Sequence, residues 1–446
     1  MRFQTQRPAS WQSCIACGNE MVETDPHSRC TACGGLLEIQ HRPPAMTPAE
    51  LIQRFTERRG GQPGATASGV WRFREIVLPS ADAVVSHPEG NTPLLHRVAL
   101  DSWAGVENLL LKHEGHNPTG SFKDRGMTVG VTQAKRIGAA AVACASTGNT
   151  AASLAAYAAQ AGLPALVLVP AGGVATGKLA QSLAYGARTL LVRGDFDDCM
   201  RLAEQASEQL GVYLLNSINP FRIEGQKTII LEMLQQLAWE PPDWIVLPAG
   251  NLGNTAAFGK ALREAKRWGL IERLPRLAAV QAAGAAPFAR SFAENFARRH
   301  RVKADTVATA IKIGDPASYD RAVQAITETE GVVLSTSDAE LLEAKAAIDA
   351  SGIGCEPASA VTLAGLRHLV TTGVVKPAQR VIAVLTGHIL KDPGQLLRYH
   401  QELEPPPAGA NRPIEIEADL REIERVLRKQ SLGPSAHAPQ GDNAHF

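Results

Sequence analysis

Lys123 follows a Pro118-Thr119-Gly120-Ser121 turn and Phe122, in the run His116-Asn117-Pro118-Thr119-Gly120-Ser121-Phe122-Lys123-Asp124-Arg125-Gly126. Met127, Val131 and Ala134 come next at helical spacing, which puts the lysine at the start of a helix. The helix dipole there opposes an ammonium and favours nearby anions. An unprotonated amine on a short tether is what a Schiff base with a cofactor aldehyde needs. A surface lysine paired with Asp124 accounts for this segment, taken alone, equally well.

Four other segments place hydroxyls, amides or glycines after an apolar run. Ser146-Thr147-Gly148-Asn149-Thr150 lies between a strand expected at 141–145 and an alanine-rich helix, and could cradle a carboxylate or phosphate. Gly250-Asn251-Leu252-Gly253-Asn254-Thr255 joins a buried strand at 244–248 to a helix at 256–268, and its amides could hold an anion. Its glycine spacing is neither the dinucleotide fingerprint nor a P-loop. Thr386-Gly387-His388 ends the last strand, where open α/β sheets bind ligands. The loop from Asn216 through Ser217 to Arg222 also follows a strand, and its arginine could grip a second phosphate. Singly, each also reads as an ordinary helix cap, strand end or solvated loop.

Cys14, Cys17, Cys30 and Cys33 have the spacing C-x2-C-x12-C-x2-C, with Gly18 and Gly34 just after each pair. That pattern predicts two knuckles around a structural Zn2+, a closed site with no open position for catalysis. His27 reads as solvated. Cys144, Cys199 and Cys355 are scattered and read as core residues.

These segments must be held by larger elements. Strands are expected at 107–112, 141–145, 165–169, 189–193, 212–215, 244–248, 277–281 and 381–386, rich in Val, Leu and Ile and without alternation, as strands buried on both faces should be. Helices are expected at 46–58, 150–160, 179–185, 199–210, 225–237 and 256–268. The alternation predicts an α/β fold with mostly parallel sheets covered by helices. Pro405-Pro406-Pro407 should stop the preceding helix, 414–429 should form a charged helix, and 431–446 should be disordered. A chain of 446 residues exceeds one core, so two or more domains are expected. A formal charge of +1 gives no reason for a nucleic-acid partner. With no signal-peptide core and no bilayer-length apolar run, a cytoplasmic protein without a membrane partner is expected.

In this order, across roughly residues 85–395, the segments resemble the threonine synthases of the tryptophan-synthase-β-like (fold type II) pyridoxal-phosphate enzymes. The resemblance implies two three-layer α/β/α domains: 46–118 with 214–404 as a large cofactor-binding domain, and 119–213 as a small one. A zinc-ribbon-like module at 1–45 and a tail at 405–446 flank them. It implies pyridoxal 5'-phosphate bound to Lys123, its ring hydroxyl facing Asn149 and its ring nitrogen facing Thr386. Its phosphate would lie on Gly250, Asn251, Leu252, Gly253 and Asn254. Substrate carboxylate would fall to Ser146, Thr147 and Thr150, and substrate phosphate to Asn216, Ser217 and Arg222. Segments 309–316 and 354–359 resemble walls of such a site. The implied reaction converts O-phospho-L-homoserine and water to L-threonine and phosphate by γ-elimination and β-addition, in a homodimer. The alternative is a sister lyase or β-replacement enzyme using another phosphorylated amino acid such as O-phosphoserine, in the manner of a cysteate synthase. A neutral Thr386 hydroxyl would not enforce a protonated ring nitrogen. Threonine and serine dehydratases resemble S-S-G-N-H, and cysteine synthases T-S-G-N-T-G with G-T-G-G; this chain has neither. Ile389 stands where family members often have Gly, and His113 and His116 read as loop residues.

Overall fold

Three short strands build the cysteine segment: β1 (Ser10–Cys14), β2 (Glu20–Val22) and β3 (Leu37–His41), antiparallel in the order β2-β1-β3. Buried and half-exposed residues alternate along β1 and β3, as expected of a sheet with one covered face. The computed structural model describes residues 8–62, 64–172 and 176–431.

Ten more strands follow: β4 (Leu94–Leu95), β5 (Asn108–His113), β6 (Ala141–Ala145), β7 (Ala165–Pro170), β8 (Arg188–Val192), β9 (Val212–Leu214), β10 (Trp244–Pro248), β11 (Arg276–Ala282), β12 (Val332–Thr336) and β13 (Arg380–Leu385). They form a six-stranded sheet in the order β12-β11-β10-β13-β5-β4 and a four-stranded sheet in the order β8-β7-β6-β9. Every pair is parallel except β4 with β5. β6 and β10 are wholly buried, which their unbroken apolar sequences demand. Two strands depart from that pattern. β8 lies at an edge with Leu190 and Leu191 exposed. β12, at the other sheet's edge, mixes buried, half-buried and exposed residues, and its apolar run is only Val332-Val333-Leu334 before Ser335 and Thr336.

The helix expected at 225–237 begins earlier, at Pro220, where Asn219 accepts the Phe221 amide and proline fills the first position. It is divided at Lys227 into Pro220–Gln226 and Thr228–Gln236. His113 is not a loop residue: it ends β5, buried, with Nε2 2.8 Å from the Gly354 carbonyl.

The chain divides into a unit ending at Pro393 and a second beginning at Gly394. In the second, a short helical turn, Arg398–Glu402, precedes the prolines. Its helix is Leu420–Ser431, beginning later than 414 because the Asp419 carboxylate caps it at the Arg421 amide. Ser431 is therefore helical, and the disorder expected at 432–446 lies outside the described residues. Among the described residues no helix is long and apolar enough to cross a membrane.

Two buried charge clusters fix the frame. His41, at the end of β3, bonds Glu224 at 2.6 Å; Glu224 also contacts Lys227 and Lys260, both at 2.5 Å. Lys260 also donates to the Ile39 carbonyl, and Arg321 to that of Leu37. The cysteine segment is thereby tied to the helix Gly253–Arg267, whose first turn lies in the loop described below. The second cluster centres on Glu232, which meets Lys112 (2.6 Å), Arg72 (2.7 Å) and Arg125 (2.8 Å) and accepts the amides of Asn91 and Thr92. Burial opposes its ionisation, but the three cations hold its pKa well below the ordinary range. Its stabilising contribution is thus present above the unfolded carboxylate pKa and lost as pH falls. Glu232→Gln leaves three buried cations short of a partner. Urea unfolding at pH 7 is expected to show a loss of about 3–5 kcal/mol.

Candidate functional site

The turn before Lys123 pairs with the chain after β13. Phe122 donates its amide to the Thr386 carbonyl (3.0 Å), His388 donates to that of Gly120 (2.9 Å), and Ser121 and Gly387 form an antiparallel bridge. This pairing brings the start of the helix Lys123–Arg136 beside the end of the last strand. Both face a cavity of about 750 Å³ beyond the carboxyl ends of β6, β10 and β13. The cavity is lined by Lys123, all five residues from Ser146 to Thr150, all five from Gly250 to Asn254, and Asn216, Ser217, Arg222 and Thr386. Every residue singled out from the sequence for cofactor or substrate therefore borders one space.

Lys123 is half-buried, its Nζ 3.8 Å from the centre of the Phe122 ring. Burial and the nearby Arg222 charge pull its pKa down to about 7, against the opposing pull of Glu356. Asp124 is not its partner. The Asp124 carboxylate accepts from Thr119 and Ser153, and burial raises its pKa to about 6.

The Gly250–Asn254 loop turns at Leu252, which is left-handed (φ 61°) and caps the helix Gly253–Arg267. The left-handed position falls on a leucine, not on either glycine. Such a turn at a helix start aims free amides at one point. The side-chain oxygens Oδ1 of Asn254 and Oγ1 of Thr255 are buried there without a partner. Asn251 instead ties the loop to its neighbours. Its Nδ2 donates to Ser217 (2.5 Å) and its Oδ1 accepts from the Ala317 amide (2.6 Å). A cavity this large, an amide cradle and a near-neutral amine fit pyridoxal phosphate.

Arg222 is buried, with Nη1 donating to the Leu215 carbonyl (3.1 Å) and Nε without a partner. Among the described residues no carboxylate pairs with it, and burial lowers its pKa to about 10. Asn216 is engaged elsewhere: its side chain bonds both the amide (3.0 Å) and the carbonyl (3.1 Å) of Ala145. Ser146 accepts the Gly148 amide (3.2 Å). Ile389 packs against Gly354, where a Cβ would stand 3.0 Å from its Cδ1, so the glycine leaves room for the larger side chain.

Two further cavity residues take no role from the sequence, although Glu356 lies in the 354–359 wall segment. Glu356 holds Asn149 Nδ2 at 2.8 Å and Thr386 Oγ1 at 3.1 Å. It precedes Pro357 at the start of a helix, so its sequence context reads as an ordinary cap. Lys391 contacts Gln181, and nothing in its sequence surroundings marks it.

The four clustered thiols converge as well. Sγ–Sγ separations are 3.5 Å (Cys14–Cys33), 3.7 Å (Cys17–Cys30) and 3.4 Å (Cys17–Cys33). Four sulfurs about 2.3 Å from zinc would sit about 3.8 Å apart, so the set fits that ion. Gly18 and Gly34 share φ +73° at the two knuckles, where their amides bond the carbonyls of Cys14 and Cys30. His27 stays outside, bonded to Asp25.

A second cleft of the same volume lies at the amino ends of β5, β10 and β13, lined by Trp239, Glu240, Asp243, Arg273 and Arg380. Arg273 and Arg380 pair with Asp243 and Glu240 there, and none of the lining residues is a lysine.

Residues 85–387 match the family described as "Pyridoxal-phosphate dependent enzyme". The chain is 42% identical over 428 residues to a threonine synthase of Methanocaldococcus jannaschii, covering 94% of this chain and 99% of that one. It is 44% identical over 391 residues to a threonine synthase of Methanosarcina acetivorans, covering 87% and 94%. Among solved structures, threonine synthase from Escherichia coli superposes with a TM-score of 0.66 at 19% identity, covering 94% of this chain and 100% of that one. At that identity the likeness shows the fold.

Proposed function

The chain belongs to the pyridoxal-phosphate dependent enzymes, and we propose that it is a threonine synthase, converting O-phospho-L-homoserine and water to L-threonine and phosphate. The observation that carries this reading is a pair of groups in one cavity: an amine tuned to about 7 and a buried guanidinium that no carboxylate neutralises. The first suits an aldehyde cofactor and proton transfer; the second suits an anion.

Lys123 would hold the cofactor through its amine, Asn149 would meet the ring hydroxyl, Thr386 the ring nitrogen, and the loop from Gly250 to Asn254 the phosphate. When bound, pyridoxal phosphate supplies an aldehyde for the substrate amine and a conjugated ring that accepts the electron pair left on carbon. The rest falls to this chain's own side chains. Ser146, Thr147 and Thr150, at the start of the helix Asn149–Ala161, orient the substrate carboxylate. Arg222 and Ser217 hold the phosphate at the γ carbon, and Asn216 fixes their loop to Ala145. The released Lys123 amine takes protons from the α and β carbons. It returns one to the γ carbon after phosphate departs. Water then adds at β, and the α carbon is reprotonated.

The test is phosphate release with matching threonine formation from O-phosphohomoserine. Turnover of O-phosphoserine in its place would overturn the reading. The same reading takes residues 119–213 as a small domain against a large one, and a cytoplasmic homodimer as the working form. It also places structural zinc on Cys14, Cys17, Cys30 and Cys33. Native mass spectrometry is expected to find that zinc, and Cys30→Ser is expected to lose it and lower the melting temperature. The visible absorbance of bound cofactor should persist, because the thiols lie outside the cavity.

A further inference from the structure

The helix Pro220–Gln226 carries Arg222 and has only seven residues, all buried. A helix that short does not hold its own shape, so tertiary contacts must place it. Arg222 bonds the Leu215 carbonyl (3.1 Å), and no carboxylate fixes its charge among the described residues. The aim of the guanidinium therefore follows the backbone that bears it. Two residues further on, Glu224 projects roughly 200° round the helix axis from Arg222. Arg222 borders the cavity, while Glu224 meets the cysteine segment behind it.

That segment grips both flanks of Arg222. On one flank, His41 Nε2 lies 2.6 Å from Glu224 and His41 Nδ1 lies 2.8 Å from the Ser10 hydroxyl. Burial and the Lys227 charge lower the His41 pKa against the pull of Glu224, so a neutral ring donates to the carboxylate and accepts from Ser10. On the other flank, Leu36 shares one buried apolar cluster with Ile218, Leu214 and Ala143. Ile218 lies in the loop between Ser217 and Arg222. Leu36 is placed in turn by the thiols. It follows Gly35, where a Cβ would stand 2.9 Å from Cys14 Sγ and 3.2 Å from Cys33 Sγ. The Leu36 carbonyl accepts the Ile15 amide (3.0 Å), and the Gly35 carbonyl accepts that of Cys30 (2.9 Å).

We propose that the cysteine segment is the rear support of the phosphate site, with His41 and Leu36 as positioning residues that hold Arg222 on target. This rests on the reading above, in which Arg222 takes the substrate phosphate. The two grips are independent: one is polar and reaches the helix, the other is apolar and reaches the loop before it. The closed thiol cluster thereby serves the reaction without touching a reactant, because it fixes Leu36 and β3 against that loop. The cofactor is supported separately. The turn before Lys123 pairs with the chain after β13. Lys260, on the helix that begins in the Gly250–Asn254 loop, keeps Glu224 and the Ile39 carbonyl as partners when the His41 ring is replaced.

Isothermal titration of inorganic phosphate into the holoenzyme reads the site directly, beside KM for O-phosphohomoserine. His41→Leu should weaken phosphate binding and raise KM by roughly 10- to 100-fold, with kcat little changed. Borohydride should still trap the cofactor on Lys123. His41→Gln, whose amide nitrogen can donate to Glu224 in place of Nε2, should recover most of the loss. Leu36→Ala should reproduce the weakening from the other flank, and Leu36→Met should not. Arg222→Met supplies the decisive background: a residue that acts through the guanidinium has nothing further to lose there, so adding His41→Leu should leave phosphate binding unchanged. Additive losses, or phosphate binding unaltered in either single variant, overturn the proposal. An equal weakening of cofactor binding overturns it too, since that marks general loosening. If Arg222→Met itself leaves phosphate binding intact, the phosphate assignment of Arg222 falls, and this support role falls with it.

Discussion

Lys123→Ala should abolish covalent capture of the cofactor and nearly all turnover. Borohydride reduction of wild-type protein should label one peptide, that containing Lys123, and the variant should leave it unlabelled. Loss of the general base alone costs roughly 10²–10⁴-fold in rate. The same amine sets a pH dependence. Its pKa is depressed to about 7, chiefly by burial, with Arg222 adding to the effect. Only the neutral amine attacks an aldehyde, so capture of pyridoxal phosphate by the apoenzyme should quicken as pH rises through about 7. An exposed lysine would show that rise some three units higher, near its ordinary value of about 10.4. Stopped-flow absorbance across that range decides between them. A label on any other lysine removes Lys123 from the mechanism.

The site segments were legible because each is a glycine- or hydroxyl-bearing turn at the carboxyl end of an apolar strand, a local pattern. β6 and β10 were legible for the same reason, since burial on both faces leaves an unbroken apolar run. What the sequence did not show is pairwise and distant. Glu356 reaches Asn149 across more than two hundred positions, and no periodicity encodes that bond. Asn216 reads as a donor to a ligand, yet both ends of its amide serve Ala145. Asn251 likewise ties two loops together. β12 left only a three-residue apolar run, Val332 to Leu334, because an edge strand keeps half-exposed residues and ends here in Ser335 and Thr336. The early start at Pro220 depends on a capping bond whose asparagine also reads as plain loop.

Arg222 carries the last prediction, because its buried charge is costly to the fold and useful only towards a ligand. A buried cation without a partner destabilises the fold, and replacing one with an apolar side chain of similar volume is often neutral or stabilising. Gly126 and Gly130 lie close against its stem, so methionine fits the space while removing the charge. Arg222→Met should therefore melt no lower than wild type without substrate, while losing the phosphate contact. A hydrogen bond to a charged group contributes about 1.5–3 kcal/mol, which corresponds to roughly 10- to 150-fold in kcat/KM. The loss should fall chiefly on phosphorylated substrate, with cofactor affinity little changed, because the loop from Gly250 to Asn254 supplies the other anion site; the Lys123 pKa should rise somewhat without the Arg222 charge. Arg222→Lys should recover little, since a single ammonium cannot present the planar fork of donors. Weaker cofactor binding in Arg222→Met would instead assign the guanidinium to the cofactor phosphate. An equal loss with non-phosphorylated homoserine would detach it from phosphate altogether.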